Sequence, residues 1–322
     1  MVKSNIKTGV TLSFVSLLLL GIMPVVSNSR PMEISALNFA LYLSLWQLIF
    51  STPVLLIEYK SSNRGIFNAN LSSGLKKKTV LIILATGAMF GISTFLYVLS
   101  MEKAGTVSAS IAIQAYPLFA ILWETIFLKR KKSKAELLFT FLLIVGLYHL
   151  GTNGTWQIKG LSYWFIFALS VPFIWSVAHV VIKEVLDKTP ITPAQVTFFR
   201  VLVSAIVIFL ISASTNDLNI VADLVRNHSF QMYAVAMGFV YYLELIIWFY
   251  AVKHVDVSVA SSIITPWPAV TVVLAIIFLH ESIKIYQVVT LVIVFISVYG
   301  ILLSGKKKRN AKLLESRRKI WT

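Results

Sequence analysis

The sequence consists mainly of apolar stretches long enough to cross a membrane. A membrane-spanning helix needs about 20 mainly apolar residues, and each of its peptide groups must find a hydrogen-bond partner inside the protein. Charged residues make up only 13% of the chain and the mean hydropathy is +0.82, both outside the usual range of soluble domains. A soluble helical bundle is disfavoured, because its helices would carry polar outer stripes. Ten stretches meet the length requirement: 9–29, 36–58, 79–101, 106–128, 135–151, 160–182, 193–213, 231–252, 257–280 and 285–304.

The first apolar stretch raises the question of a cleaved signal peptide, because Lys3 and Lys7 precede it. This stretch is longer than an ordinary signal-peptide core, and no A-x-A cleavage site follows it. We therefore expect a retained first helix.

The basic residues predict the orientation of the chain. With the N-terminus placed in the cytoplasm, 23 Lys and Arg residues fall on the inner side, five fall outside, and Arg200 lies within a helix. Inner loops of membrane proteins carry this excess of positive charge, so both termini are predicted to be cytoplasmic in a multi-pass protein of the cell membrane. The net charge of +16 is then explained by topology and not by nucleic-acid binding. The basic inner loops and tail are expected to lie against anionic lipid, with a solvated tail that has no specific partner as the alternative.

A weak internal repeat divides the chain into two halves. An offset of 151 residues places "AYPLF" (115–119) opposite "PWPAV" (266–270), so that an aromatic residue followed by proline recurs at the same depth. Five helices per half is an odd number, so the halves enter the membrane from opposite faces, as in inverted-repeat transporters. The expected fold is therefore an all-α membrane protein with ten transmembrane helices in two inverted five-helix repeats. The expected units are 1–155, 156–304 and a basic tail at 305–322.

Five of the prolines within the expected helices are predicted to break them. Proline has no N–H to donate, and its ring clashes with the preceding turn. Carbonyls freed in this way could line a substrate cavity, whereas a tolerated kink that only shapes packing is the alternative. The predicted breaks are Pro24, Pro117, Pro172, Pro266 and Pro268.

The last two helices carry a family resemblance. The segment "VASSIITPWPAVTVVLAIIFLHESIKIYQVVTLVIVFISVYGILL" resembles the drug/metabolite transporter superfamily, specifically its EamA-type exporters, at Ala260, Ser261, Pro268 and Glu281. The seventh helix, "TFFRVLVSA", resembles the Arg-containing helix of that family through Arg200. The resemblance implies a secondary transporter or facilitator that exports small metabolites, often amino acids or related compounds.

Glu244 is the clearest candidate for binding a substrate. It lies deep in the eighth apolar stretch, where an ionisable side chain costs about 2.5–3.5 kcal/mol and so indicates a protected or wet location. It could bind the ammonium group of an amino acid or act as a coupling proton site. Structural pairing with a neighbouring helix is the alternative.

Four other ionisable residues are candidates for structural or coupling roles. Arg200 could pair within the fold or bind a substrate carboxylate, and His179 could pack or switch charge near neutral pH. Glu124 lies near the basic loop that follows it and could pair there. Glu281 is a candidate because of the family resemblance.

Amphipathic side chains within the expected helices could form the wall of a cavity, because aromatic rings supply contact area and N–H or O–H groups supply direction. Anchoring at the membrane interface is the alternative role for the aromatic residues. The candidates are Gln114, Tyr116, Trp175, Tyr241, Trp248 and Trp267.

The sequence offers little to support enzyme chemistry. It has no Cys, and "HESIK" (280–284) begins like a zinc motif but has Lys284 where the second ligand should be. We expect no catalytic residues, no metal and no cofactor. The expected partners are a small-molecule substrate and the lipid bilayer, with the protein a monomer or homodimer. A membrane scaffold or receptor without transport is the alternative function.

Overall fold

The computed structural model describes residues 6–31, 33–61, 64–68, 72–126, 132–215, 218–255 and 257–320. These segments are helical or irregular, and they contain no strand. Their α-helices are α1 (Ile6–Asn28), α2 (Ala36–Lys60), α3 (Ser73–Ala104), α4 (Thr106–Ile113), α5 (Tyr116–Ile126), α6 (Lys134–Gly151), α7 (Tyr163–Lys188), α8 (Pro193–Thr215), α9 (Leu218–Asp223), α10 (His228–His254), α11 (Val257–Ile264), α12 (Trp267–Leu279) and α13 (Ile285–Ile320).

These helices supply ten candidate membrane spans, which confirms the all-α, ten-span prediction. Eight spans are single helices, while α4 with α5 and α11 with α12 each form a span in two pieces. Polar residues fix several helix starts, as the sequence would suggest. Ser35 accepts a hydrogen bond from the Asn38 N–H at the start of α2, and Ser133 with Glu136 forms a capping box at the start of α6.

The first helix of each half packs against the other half. Helix α1 contacts α10, α11 and α12 of the second half, while α7 contacts α3, α4 and α5 of the first. Small residues permit close approach between the halves: a Cβ added at Gly21 of α1 would lie 2.6 Å from Val270 of α12, and one added at Gly91 of α3 would lie 3.0 Å from the Ser204 carbonyl oxygen of α8. Close backbone packing of this kind holds helices together in lipid, where burial of apolar surface gives little drive. The two halves are therefore interlocked.

The two divided spans break at matching positions. Helix α4 ends at Ile113 and α5 begins at Tyr116, while α11 ends at Ile264 and α12 begins at Trp267. The 151-residue offset maps each of these boundaries onto its counterpart. The repeat therefore extends to the local backbone structure of the fourth and ninth spans.

The hydrogen bonds that restart the helices after the breaks also match. The Leu118 N–H donates to the Ala115 carbonyl at 2.9 Å, and the Ala269 N–H donates to the Pro266 carbonyl at 2.9 Å. Both are i to i−3 bonds at equivalent positions, and they tighten the first turn after each break.

The five prolines divide into two groups. Pro117 and Pro268 are the second residues of α5 and α12, and Pro266 is the N-cap of α12. Proline is well tolerated there because the first N–H groups of a helix have no partner within the helix. The prediction of breaks at Pro24 and Pro172 is wrong, because both lie inside the continuous helices α1 and α7. A single proline removes one hydrogen bond, and packed neighbouring helices let the helix continue past it.

Candidate substrate site

A group of aromatic side chains surrounds His179 of α7 in the middle of the bundle. The ring centroids of Phe90, Tyr116, Trp175 and Trp248 lie 5.4, 6.0, 6.2 and 5.9 Å from that of His179. These residues come from α3, α5, α7 and α10, so both halves contribute. We call these five residues the aromatic cluster.

Tyr97 of α3 extends the aromatic cluster toward α10. Its ring stacks on Trp175 at 6.2 Å between centroids and lies 6.4 Å from the ring of Tyr241. The Trp175 indole donates to the Ser93 hydroxyl at 3.1 Å, and the hydroxyls of Tyr241 and Thr94 lie 3.4 Å apart. Polar atoms of α3 therefore hold two of the aromatic side chains in place.

Glu244 lies three residues after Tyr241, which is close to one turn further along α10. Only 7% of its surface is exposed. Ser16 of α1 donates a hydrogen bond to its Oε1 at 2.8 Å. This contact joins the first and eighth spans at a buried carboxylate.

Arg200 of α8 brings a positive charge to the same region. It is 3% exposed, and its guanidinium carbon lies 3.4 Å from the centroid of the Phe90 ring, a close cation–π contact. It interacts electrostatically with Tyr241 and Glu244. Its Nε and Nη1 atoms have no hydrogen-bond partner among the described residues. A buried guanidinium therefore retains donor capacity in the same region as a buried carboxylate.

Gln114 is buried where α4 ends. Its Nε2 donates to the Thr265 carbonyl at 2.8 Å, so its amide connects the break in the fourth span to the break in the ninth. Trp267 follows two residues after Thr265 and is buried at the start of α12. Thr271, one turn later, donates to the Gly21 carbonyl at 2.9 Å and so ties α12 to α1.

The predicted site residues are thus only partly brought together. The structure gathers Tyr116, Trp175, Tyr241, Trp248 and Glu244, and it adds Arg200 and His179. Glu281 lies elsewhere, where its Oε1 accepts a hydrogen bond from the Val107 N–H at 3.4 Å at the start of α4. The side chain of Glu124 lies outside the part of the chain that the structure describes.

Sequence reasoning missed five residues that form the site: Ser16, Phe90, Ser93, Thr94 and Tyr97. Their spacing carries a weak signal, because positions 90, 93, 94 and 97 follow the three-and-four pattern of one helix face. Ser16 carries no such signal, since isolated serines are common in membrane helices. Among the described residues, no group of three His, Asp or Glu side chains could hold a metal ion.

Ten spans lie in two interlocked halves, and each half has a broken helix that meets the other through the Gln114–Thr265 hydrogen bond. This is the architecture of an inverted-repeat membrane transporter. The chain belongs to the EamA-like transporter family, whose model matches residues 7–152 and again residues 162–303. This family is part of the drug/metabolite transporter superfamily, as the resemblance indicated, and it is a family of transporters and not of enzymes. The protein is therefore a multi-pass integral membrane transporter.

The fold also matches an experimentally solved one. A structure titled "Crystal structure of protein" is similar over 93% of this chain and 98% of its own length, with a TM-score of 0.63 and 13% sequence identity. At this identity the similarity shows the shared fold alone. A comparison with curated protein sequences gave no match.

Proposed function

We propose that this transporter exports small zwitterionic metabolites, with amino acids or related compounds as the substrate class, by alternating access around the aromatic cluster. The observation that carries the proposal is the pair of buried opposite charges, Glu244 and Arg200, within membrane-spanning helices. An uncharged solute would need neither group, and each costs about 2.5–3.5 kcal/mol to place in a membrane helix.

The two charges suit the two ends of an amino acid. A carboxylate that is already oriented by the Ser16 hydroxyl is suited to accept hydrogen bonds from an ammonium group. The unpartnered Nε and Nη1 of Arg200 are suited to donate to a carboxylate. A zwitterion would satisfy both groups and would carry no net charge into the low-dielectric interior.

The aromatic cluster supplies contact area for the rest of the substrate. Tyr116, Trp175 and His179 remain partly exposed although each contacts rings from other helices. We attribute this exposed surface to a cavity beside the charged pair. Aromatic walls with a few directed polar groups are typical of small-molecule sites.

The interlocked halves and the matched breaks support alternating access. In inverted-repeat transporters, one repeat rocks against the other around a fixed site near the midplane. Outward transport is the direction that the family resemblance implies. Proton coupling through Glu244 and facilitated diffusion are the two mechanisms that the proposal allows.

The proposed orientation places both termini in the cytoplasm, with the basic loops and tail on anionic lipid. The protein would work in the plasma membrane as a monomer or homodimer. Two exposed lysines at opposite ends of the bundle test the orientation: Lys159→Cys should react with an impermeant thiol reagent on intact cells, and Lys253→Cys only after permeabilisation. The reverse pattern would show that the orientation is inverted.

Transport itself is tested with purified protein in liposomes. Cells that overproduce the protein are first profiled for metabolites that accumulate in the medium, and counterflow of radiolabelled leucine, phenylalanine and the profiled compounds is then measured. We expect saturable counterflow of at least one amino acid. Well-folded protein that moves no amino acid or related compound would favour a scaffold or receptor role instead.

A further inference from the structure

A second polar cluster lies at one end of the bundle, where α1 and α3 finish and α4 begins. We call this end the Arg30 end. The cluster consists of Asn28, Arg30, Glu102, Glu281 and Gln287. None of them belongs to the candidate substrate site of the aromatic cluster, Glu244 and Arg200, which we call the central site.

Arg30 is the most deeply buried member of this cluster. Its side chain is 0% exposed, its Nη1 donates to the Ser27 carbonyl at 2.7 Å, and its Nη2 forms an ion pair with Glu102. Its guanidinium carbon also lies 5.2 Å from the ring centroid of Phe39. Burial lowers the pKa of Arg30, and the charge of Glu102 acts in the opposite direction. The ion pair joins the loop after α1 to the end of α3.

Asn28 ties the same elements together by hydrogen bonds. Its Nδ2 donates to the Met101 carbonyl at 2.9 Å and to the Thr106 hydroxyl at 2.8 Å. The end of α1 is therefore held to the last turn of α3 and to the first residue of α4.

Residues of the second half also form hydrogen bonds with the start of α4. Glu281, in the link between α12 and α13, accepts from the Val107 N–H, and the Gln287 Nε2 donates to the Ser108 hydroxyl at 2.8 Å. Gly105 joins α3 to α4 with φ +83°, and a Cβ there would lie 3.1 Å from Glu281 Oε1. The α3–α4 junction therefore forms hydrogen bonds with residues of both halves.

Three buried polar atoms of this region have no hydrogen-bond partner in the part of the chain that the structure describes: Ser27 Oγ, Asn28 Oδ1 and Arg30 Nε. Unpaired buried polar groups are costly, and water would relieve that cost if this end opened. Unpaired buried polar atoms are therefore more consistent with an interface that opens during transport than with one that stays closed.

The opposite end of the bundle differs at the equivalent position. The 151-residue offset maps Glu102 onto Lys253, which is exposed. A lysine cannot repeat the acidic role of Glu102, so the ion pair belongs to the Arg30 end and is not a feature of both halves.

We propose that the Arg30–Glu102 ion pair, supported by the Glu281 and Gln287 contacts with α4, is a gate that closes the central site at the Arg30 end. Breaking the pair should open this end and admit solutes to the aromatic cluster. The inference rests on the proposed alternating access.

The chain has no native Cys, so one introduced thiol can report on access to the site. His179→Cys places this reporter in the aromatic cluster, and Lys159→Cys identifies the membrane face that carries the Arg30 end. An impermeant thiol reagent is added to sealed vesicles of each orientation in the absence of substrate. The rate at which it labels the reporter from the Arg30 end is measured. This rate is normalised to the labelling of the denatured protein. The reporter is combined with Arg30→Gln, with Glu102→Gln, or with the charge exchange of Arg30→Glu and Glu102→Arg.

We expect Arg30→Gln and Glu102→Gln each to raise labelling from the Arg30 end by roughly tenfold or more, because each breaks a buried ion pair. The charge exchange should return the rate toward that of the reporter alone, which also shows that the protein folds. Lys103→Gln is the matched control: Lys103 contacts the same carboxylate at 2.5 Å but is 43% exposed, so we expect a change within about twofold.

Equal labelling rates in the reporter and in both single variants, with all of them inserted at normal levels, would overturn the gate. The assay uses no substrate, so its failure is separate from failure of the proposed function. If the variants change the labelling rate but the protein shows no amino-acid counterflow, the proposed function is rejected and the gate is kept. If counterflow is normal but the variants leave the labelling rate unchanged, the gate is rejected and the proposed function is kept.

Discussion

The Gln114 amide donates a 2.8 Å hydrogen bond to the backbone carbonyl of Thr265, and the two residues are separated by the 151 positions that relate the two halves. The Thr265 carbonyl is available because the Ala269 N–H, which would bond to it in a regular helix, bonds to Pro266 instead. The contact therefore joins equivalent points of the two breaks, next to Trp267 and Tyr116. A motion of one half against the other has to keep this bond or exchange it.

Gln114→Leu should weaken the link between the two breaks. It removes the donor and leaves a buried carbonyl without a partner, which costs about 1–3 kcal/mol. We expect a lower unfolding temperature in detergent and reduced counterflow. Gln157→Leu, which changes an exposed glutamine, is the control and should leave both values unchanged. Equal stability and flux in all three proteins would show that the bond is dispensable.

Glu244→Gln should reduce transport of zwitterions and flatten its dependence on pH if the carboxylate carries the coupling proton. The variant keeps the size of the side chain but loses its charge and its proton site. The measurement is initial counterflow between about pH 5.5 and about pH 8.5, a range on both sides of neutral pH. Ser16→Ala is the matched control, because it removes the hydrogen bond to Glu244 and keeps the carboxylate. An unchanged pH profile at normal expression would exclude the coupling role.

Arg200→Lys should raise the KM for amino acids by about tenfold or more, since a lysine lacks the guanidinium donors that are free to meet a carboxylate. The same change at the exposed Arg226 is the control and should have no effect. A variant that loses stability but keeps its KM would assign Arg200 to the fold through its contact with Phe90.

Trp267→Ala tests whether the break in the ninth span serves the site or only shapes packing. We expect a loss of flux greater than the loss of stability, because Trp267 starts α12 beside the Gln114–Thr265 bond. Trp164→Ala, at a more exposed position in α7, is the comparison. Full flux in Trp267→Ala would favour a simple kink.

Hydropathy and the proline pattern predict much of this fold. Lipid requires long apolar helices, so the ten spans and the two five-helix halves can be read directly from the sequence. Paired aromatic and proline residues likewise predict the breaks before Tyr116 and Trp267. The continuity of α1 through Pro24 could not be predicted, because it depends on how neighbouring helices pack around one missing hydrogen bond.

The site is less predictable than the fold. Glu244 and Arg200 stand out because ionisable groups are costly in lipid. Ser16 and Ser93 do not stand out, because small polar residues are common in membrane helices. The partner of Gln114 depends on a contact across 151 residues, which no local pattern encodes.

Competition by substrate analogues tests the central claim most directly. In wild-type protein, counterflow of a transported amino acid is measured against the unlabelled amino acid, its methyl ester, which lacks the carboxylate, and its N-acetyl derivative, which lacks the ammonium group. We predict that the intact zwitterion competes best and that each analogue is weaker by about tenfold or more, since each leaves one buried charge unpaired. Equal competition by all three compounds would contradict the zwitterion site between Glu244 and Arg200.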